Sequence, residues 1–278
     1  MSSPVPRAAL ADGRTIDRVG YGVYKVPPED TARLCSTALD AGYRLLDTAS
    51  LYGNESGVGA AVRDYLGSGD RDELFITSKV WNDDHGFDAT LRAFDASMDL
   101  LGLDRLDLYL IHWPCPSKDL YVETWRALER LQGDGRVRSI GVSNFQQSHL
   151  ERLINETDVV PVLNQVELHP YLQQRELRAF HADHGIATQA WSPLGRGNVL
   201  DDDEIVRIAA ELGRTPAQVI LRWHHQQDIL TIPKASTRER IASNLDIFGF
   251  ELDEADMGQI SGLDRGEDWI TDSDVFGH

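Results

Sequence analysis

Cysteine is scarce in this 278-residue chain: Cys35 and Cys115 stand far apart. That excludes a metal or redox motif built on cysteine spacing. Isolated thiols suit a reducing compartment, so the cytoplasm is the expected location. Long apolar runs are also missing. No stretch approaches the ~18 residues a membrane helix needs, and Met1–Asp12 has no apolar core after a basic start, so it does not read as a secretory signal. Positive charge is in deficit, with 27 Lys and Arg against 45 Asp and Glu, a net charge of −18. A surface of that sign repels phosphate backbones, which argues against nucleic acid as a partner. The acidic residues are spread along the chain, as a solubilising surface would have them. Repeats, linkers and low-complexity segments are absent as well. The length fits one large α/β barrel or two small domains, and the uniform composition favours a single domain over 1–278.

What is present is a rhythm. Short apolar runs recur at Arg18–Gly22, Arg44–Leu46, Leu74–Val80, Leu106–His112, Val137–Val142, Val160–Val166, Ile186–Trp191 and Ile229–Ile232. Several are almost continuously apolar, as strands buried on both faces are. Between them, Glu29–Ala41, Asp88–Leu101 and Leu120–Leu131 place apolar residues three and four apart, the helical spacing. Gly42, Gly102, Gly133, Gly185 and Gly213 sit where helices should stop, and Thr215-Pro216 reads as a cap with a first-turn proline. Eight strand-helix units predict a (β/α)8 barrel. The rival doubly wound sheet needs G-x-G-x-x-G after an early strand, and Gly20-Tyr21-Gly22 is followed by Lys25 where the third glycine belongs. Ahead of the barrel, Arg7–Ala11 and Arg14–Asp17 flank Asp12-Gly13, a tight-turn signal for a β-hairpin that plugs the bottom. Gly262–His278 has little periodicity and reads as a short C-terminal loop.

In such barrels the active site lies at the C-terminal ends of the strands. Those ends carry Asp47, Lys79, His112, Ser143-Asn144, Asn164 to Glu167, Trp191-Ser192 and Pro233-Lys234. Each alone suits a solvated strand end, but together they gather ionisable groups at one mouth. Free tyrosine, with a pKa near 10, is a reluctant acid at neutral pH. A buried cation beside it lowers that value. Lys79, held by Asp47, is expected to do this for Tyr52 on the loop after the second strand, while His112 orients a substrate carbonyl.

Asp47 with Tyr52-Gly53-Asn54-Glu55, Ser78-Lys79 and Ile111-His112-Trp113-Pro114 resemble the active-site motifs of the aldo-keto reductases. The resemblance continues through Gly141 to Phe145, Asn164 to Pro170, Trp191 to Leu194 and Ile232-Pro233-Lys234, covering nearly the whole chain in order. The short C-terminal loop and Trp191-Ser192-Pro193-Leu194-Gly195 are similar to the bacterial branch that includes 2,5-diketo-D-gluconate reductases. The resemblance implies NADPH-dependent reduction of small aldehydes, α-dicarbonyls or keto-sugars by a monomer. Tyr52 would donate the proton, with Asp47, Lys79 and His112 in support. Ser143, Asn144 and Gln165 would hold the nicotinamide carboxamide, and Trp191 would stack on the ring. Ser192, Pro193, Leu194 and Gly195 would line the pyrophosphate path. Lys234 and Arg240 would clamp the 2′-phosphate, favouring NADPH over NADH, and Asn244 would contact the adenine. Tyr24, Trp81, Trp113 and Trp269 fall in loops that would wall the substrate pocket together with His112.

Two positions depart from the family pattern. Ala235 stands where serine is common, with Ser236 and Thr237 close enough to supply a hydroxyl, and Ser243 stands where glutamate is common. The alternative reading is an NADPH-binding barrel that reports redox state to a partner; the lack of an extension for such a partner favours an enzyme. A metal-dependent hydrolase would need histidines clustered at strand ends, so no metal site is expected. His169 reads as a hydrogen-bonded structural residue, and the acidic run Asp201 to Glu204 as a helix cap.

Overall fold

The computed structural model describes residues 5–266 and 273–274. It opens with an antiparallel hairpin, β1 (Arg7–Ala9) and β2 (Thr15–Asp17), in which Ala8 faces Ile16. Eight parallel strands follow: β3 (Tyr21–Gly22), β4 (Leu45–Asp47), β5 (Phe75–Val80), β6 (Leu106–Ile111), β7 (Val137–Ser143), β8 (Leu163–Glu167), β9 (Ala187–Trp191) and β10 (Leu230–Thr231). Each pairs with the next, from β3 to β10. The two ends of this curl meet. Val19 bridges Thr231 in parallel, the Gly20 amide donates to the Thr231 carbonyl at 2.8 Å, and the Thr231 amide donates to the Arg18 carbonyl at 3.0 Å. The sheet is therefore a (β/α)8 barrel with an N-terminal hairpin. A side chain at Gly22 would bring its Cβ to 2.8 Å from the Ile232 carbonyl oxygen, so glycine lets the seam close.

The helices are α1 (Pro28–Ala41), α2 (Glu55–Tyr65), α3 (Phe87–Leu101), α4 (Tyr121–Gly133), α5 (Gln147–Glu156), α6 (Arg175–Asp183), α7 (Asp203–Leu212), α8 (Pro216–Gln226), α9 (Arg238–Leu245) and α10 (Glu254–Ser261). Their ends follow local chemistry. Thr215 and Gln218 cap α8 reciprocally, and Asp202 accepts the Glu204 amide to start α7, which accounts for the acidic run there. Gly42, Gly102 and Gly213 end α1, α3 and α7 in left-handed conformation.

Strand lengths differ from the sequence reading at the seam. The first and last strands are two residues each, because they meet through an isolated bridge rather than a full ladder. The run expected from Val160 makes cross-strand bonds from Val162 and is regular strand from Leu163, since Pro161 has no amide hydrogen to donate.

The core has two layers. Phe94, Leu101, Trp125, Leu128, Leu150 and Leu153 pack between sheet and helices. Inside the barrel's N-terminal half, Leu45, Phe75, Leu108, Leu110 and Leu163 form a separate cluster, which the hairpin completes with Leu10 and Ile16. Ile16 has no exposed surface, so the hairpin seals that end. The expected C-terminal loop lies largely outside the described residues; of its described part, Asp274 accepts from His149 Nε2 at 2.9 Å. No helix among the described residues is long and apolar enough to cross a membrane.

Gly59 tests how closely α2 packs. A Cβ there would lie 1.9 Å from the Leu101 carbonyl oxygen, a backbone atom at the end of α3 that cannot step aside. Gly59→Ala is expected to cost about 3 kcal/mol, the upper range for overpacking. Gly133→Ala, at a helix end with nothing within 4 Å, should change stability by less than about 1 kcal/mol. Urea denaturation midpoints of the two variants measure the contrast.

Candidate active site

Strand register places the first two residues of the site. Asp47 pairs with Thr77, so Lys79 lies two residues further along the neighbouring strand and on the same face. Lys79 is fully buried and Asp47 almost so. Lys79 Nζ donates to Asp47 Oδ1 at 2.6 Å and to the Thr48 carbonyl at 2.9 Å. The second carboxylate oxygen of Asp47 accepts from Gln165 Nε2 at 2.8 Å, and the same nitrogen lies 2.7 Å from Gln189 Oε1. Gln165 belongs to β8, so this bond spans the barrel. A second carboxylate, Glu55, is buried nearby and accepts from Ser78 at 2.5 Å and Ser97 at 3.2 Å. Burial raises Glu55 above the usual carboxylate range, with the two serines and Lys79 opposing.

Tyr52 ends a 3-10 turn, Ser50–Tyr52, after β4. The turn is tied down twice. Ser50 Oγ donates to the Lys79 carbonyl at 3.0 Å. Asn54, fully buried, accepts from Thr48 at 2.8 Å and donates to the carbonyls of Val23 at 3.0 Å and Val26 at 3.2 Å. Lys79 Nζ lies 5.2 Å from the centre of the Tyr52 ring. The ring meets His112 edge-on at 5.6 Å and lies 5.0 Å from that of Tyr24. Trp81 meets His112 edge-on at 5.1 Å. Asp47, Tyr52, Lys79 and His112 are thus brought together as the sequence predicts.

The electrostatics correct one expectation. Lys79 was expected to lower the phenol pKa of Tyr52; instead burial pushes it well above its ordinary value, and Asp47 and Tyr24 push the same way. Burial of the ring is the largest cause, and the Asp47 carboxylate, which holds Lys79 at 2.6 Å, adds to it. Burial also lowers Lys79 itself, opposed by Asp47 and Glu55. His112 is held well below the normal histidine value by burial, then by the charges of Lys79 and His85. The site therefore presents a protonated phenol beside a neutral imidazole.

The remaining predicted residues form two groups. Around the mouth, Ser143 Oγ donates to the Gln165 carbonyl at 2.8 Å. Asn144 adopts left-handed backbone (φ 62), and its side-chain Nδ2 donates to the His112 carbonyl and to Ser143 Oγ, both at 3.0 Å. Trp191 Nε1 donates to Asn144 Oδ1 at 2.8 Å. Ser192 and Gly195 are also left-handed, in the turn that carries Pro193 and Leu194. Further along, Lys234, Ser236 and Arg240 are exposed, while Asn244 is buried in α9. Of the aromatic walls, Tyr24 is 51% exposed and Trp113 is buried beside His112. Trp269 lies outside the described residues.

Sequence reasoning missed several participants. Gln189 is visible only through its register with Gln165. Arg196 packs over Trp191 with its guanidinium carbon 5.7 Å from the ring centre and pairs with Glu167 at 3.2 Å. Arg238, beside Arg240 in the same helix, was visible in sequence as a further cation but passed over.

Comparison with known proteins points to one family. The aldo/keto reductase family model matches residues 18–265. An aldo-keto reductase of Mycobacterium sp. (strain KMS) is 52% identical over 272 residues, 98% of each chain. The methylglyoxal reductase DkgA of Escherichia coli (strain K12) is 47% identical over 270 residues, 96% of this chain and 97% of its own. A solved structure of a mutant of Gox0644 in complex with NADPH superposes with a TM-score of 0.91 at 50% identity, covering 95% of each chain. The chain belongs to the aldo/keto reductase family.

Proposed function

We propose that this protein uses NADPH to reduce small carbonyl compounds to alcohols, with Tyr52 as the proton donor. The observation that carries the reading is the edge-on contact of Tyr52 and His112, ring centres 5.6 Å apart, beside the buried Asp47–Lys79 pair whose ammonium lies 5.2 Å from the phenol ring. A neutral imidazole keeps one N–H to donate to a carbonyl oxygen, and the adjacent phenol supplies the proton that oxygen needs as charge develops on it. Lys79 and Asp47 hold the turn and the local charge in place. When bound, NADPH supplies the hydride for the carbonyl carbon.

The residues present fit that cofactor. Among the described residues, Lys234, Arg238 and Arg240 are cations for which no carboxylate partner is found, clustered at the start of α9. In a chain of net charge −18, such a cluster suits a phosphate, and arginine suits it bidentately. The Ala235 carbonyl accepts from the Tyr21 hydroxyl at 2.7 Å, and Thr237 caps α9 by accepting the Arg240 amide. Ser236 is then the hydroxyl left to replace the missing serine. Asn144, Ser143 and Gln165 offer amide and hydroxyl groups for a carboxamide, Trp191 a ring face, the turn Ser192-Pro193-Leu194-Gly195 a pyrophosphate path, and Asn244 an adenine contact. Tyr24, Trp81, Trp113 and Trp269 would wall an apolar pocket for aldehydes, α-dicarbonyls or keto-sugars.

Support comes from the methylglyoxal reductase and the NADPH-bound relative. The alternative, a redox-reporting barrel, gains nothing from them. We place the protein in the cytoplasm as a single-domain monomer.

Tyr52→Phe should keep NADPH affinity, read by fluorescence titration, and lose about 10²–10⁴-fold in turnover of methylglyoxal. Unchanged turnover would remove Tyr52 as the acid. Lys234→Ala should raise the KM for NADPH far more than that for NADH; equal effects would remove the phosphate clamp. The pH profile follows from the two directions. Tyr52 is protonated below its raised pKa and His112 is neutral above its lowered one, so kcat should be flat over about pH 6–8 and fall only on the alkaline side. An acid limb near the ordinary histidine value would contradict the neutral His112.

A further inference from the structure

The hydrogen bonds that hold Asp47 cross the lumen to β8 and end on β9. Gln165 and Gln189 are partners in strand register, so their side chains share one face at one level. Both are buried, Gln189 completely. The polarity of this chain follows from what each group can do. The Lys79 ammonium only donates, and Asp47 receives it at 2.6 Å. A carboxylate only accepts, so the end of the Gln165 amide that lies 2.8 Å from Asp47 Oδ2 is its nitrogen. The second hydrogen of that nitrogen goes to Gln189 at 2.7 Å, so the near end of the Gln189 amide is its oxygen. Turning the Gln189 amide over would set two donors against each other. Held this way, Gln189 Nε2 is buried with no hydrogen-bond partner among the described residues. An unmet buried donor is destabilising, and an apolar side chain at this position would carry none.

Asp47 and Gln189 act differently on Gln165. Asp47 decides which end of the amide is nitrogen. The terminal torsion of a glutamine is soft, so one bond leaves the amide plane free to swing. The second bond fixes the plane, and with it the direction of Gln165 Oε1, the amide atom that takes part in neither bond. We infer that Gln189 is a positioning residue: it aims Gln165 Oε1 at the carboxamide of NADPH, and its own unmet donor is the cost of doing so. The carboxamide nitrogen only donates, so an oxygen is the atom it needs. The inference rests on the proposed cofactor reading, in which Gln165 meets the carboxamide.

Calorimetric titration with three ligands tests it. They are NADPH, its 3-acetylpyridine analogue, whose acetyl group keeps the carbonyl but has no N–H, and 2′-phospho-ADP-ribose, which lacks the nicotinamide ring. Gln189→Met keeps the length of the side chain and removes the acceptor. It should weaken NADPH binding about three- to ten-fold, the usual effect of one neutral hydrogen bond. The other two ligands should bind it as they bind wild type. Gln189→Glu keeps an oxygen towards Gln165 and should restore the wild-type preference for NADPH over the acetyl analogue. Equal weakening of all three ligands in Gln189→Met would show general loosening and overturn the inference. An unchanged ratio of NADPH to analogue affinity would overturn it too, as would a Gln189→Glu variant no better than Gln189→Met. Failure of the wild-type protein to bind NADPH would instead remove the cofactor reading, and the inference with it.

Discussion

Burying a lysine in the lumen of a barrel is costly unless the charge is met on all sides. Here Asp47 meets it at 2.6 Å, and the Thr48 carbonyl takes a second ammonium hydrogen. Asp47 is in turn held from across the barrel by Gln165, itself bonded to Gln189 on the adjacent strand. The pair therefore ties β4, β5, β8 and β9 together at one level. Removing one partner of such a pair typically costs about 3–5 kcal/mol, since the other is left charged and buried. The Ser50–Tyr52 turn is fastened to the Lys79 carbonyl, so the position of the phenol depends on the same strand that carries the ammonium.

That arrangement also changes the account of acidity. A lone ammonium beside Tyr52 would make the phenol a stronger acid. Here burial of the ring dominates, and the carboxylate that answers the ammonium pushes the same way, so the phenol stays protonated. The site so described stores the proton rather than shedding it. In the proposed reaction its transfer would be drawn by charge that appears on a substrate oxygen, with His112 uncharged beside it.

Much of this was legible in the sequence because barrel chemistry sits at strand ends, and strand ends can be located from apolar runs. Asp47, Lys79 and His112 follow from that rule, and Tyr52 from its closeness to Asp47. The hairpin followed from Asp12-Gly13. What was not legible depends on contacts across the lumen or between loops. Gln165 reads as one amide among several until its bond to Asp47 is seen. Glu55 appears in sequence only as the last residue of the Tyr52-Gly53-Asn54-Glu55 motif, and its burial against Ser78 and Ser97 is seen only in the fold. The direction of the Tyr52 shift needed the burial of its ring, which no sequence spacing supplies. The seam strands were overestimated because apolar character does not reveal that two edges meet through a single bridge.

The hairpin carries one more consequence. With Ile16 and Leu10 packed against Leu45, Phe75, Leu108, Leu110 and Leu163, the N-terminal end of the lumen is solid apolar packing. Polar chemistry is thereby confined to the opposite end, where the strands run out.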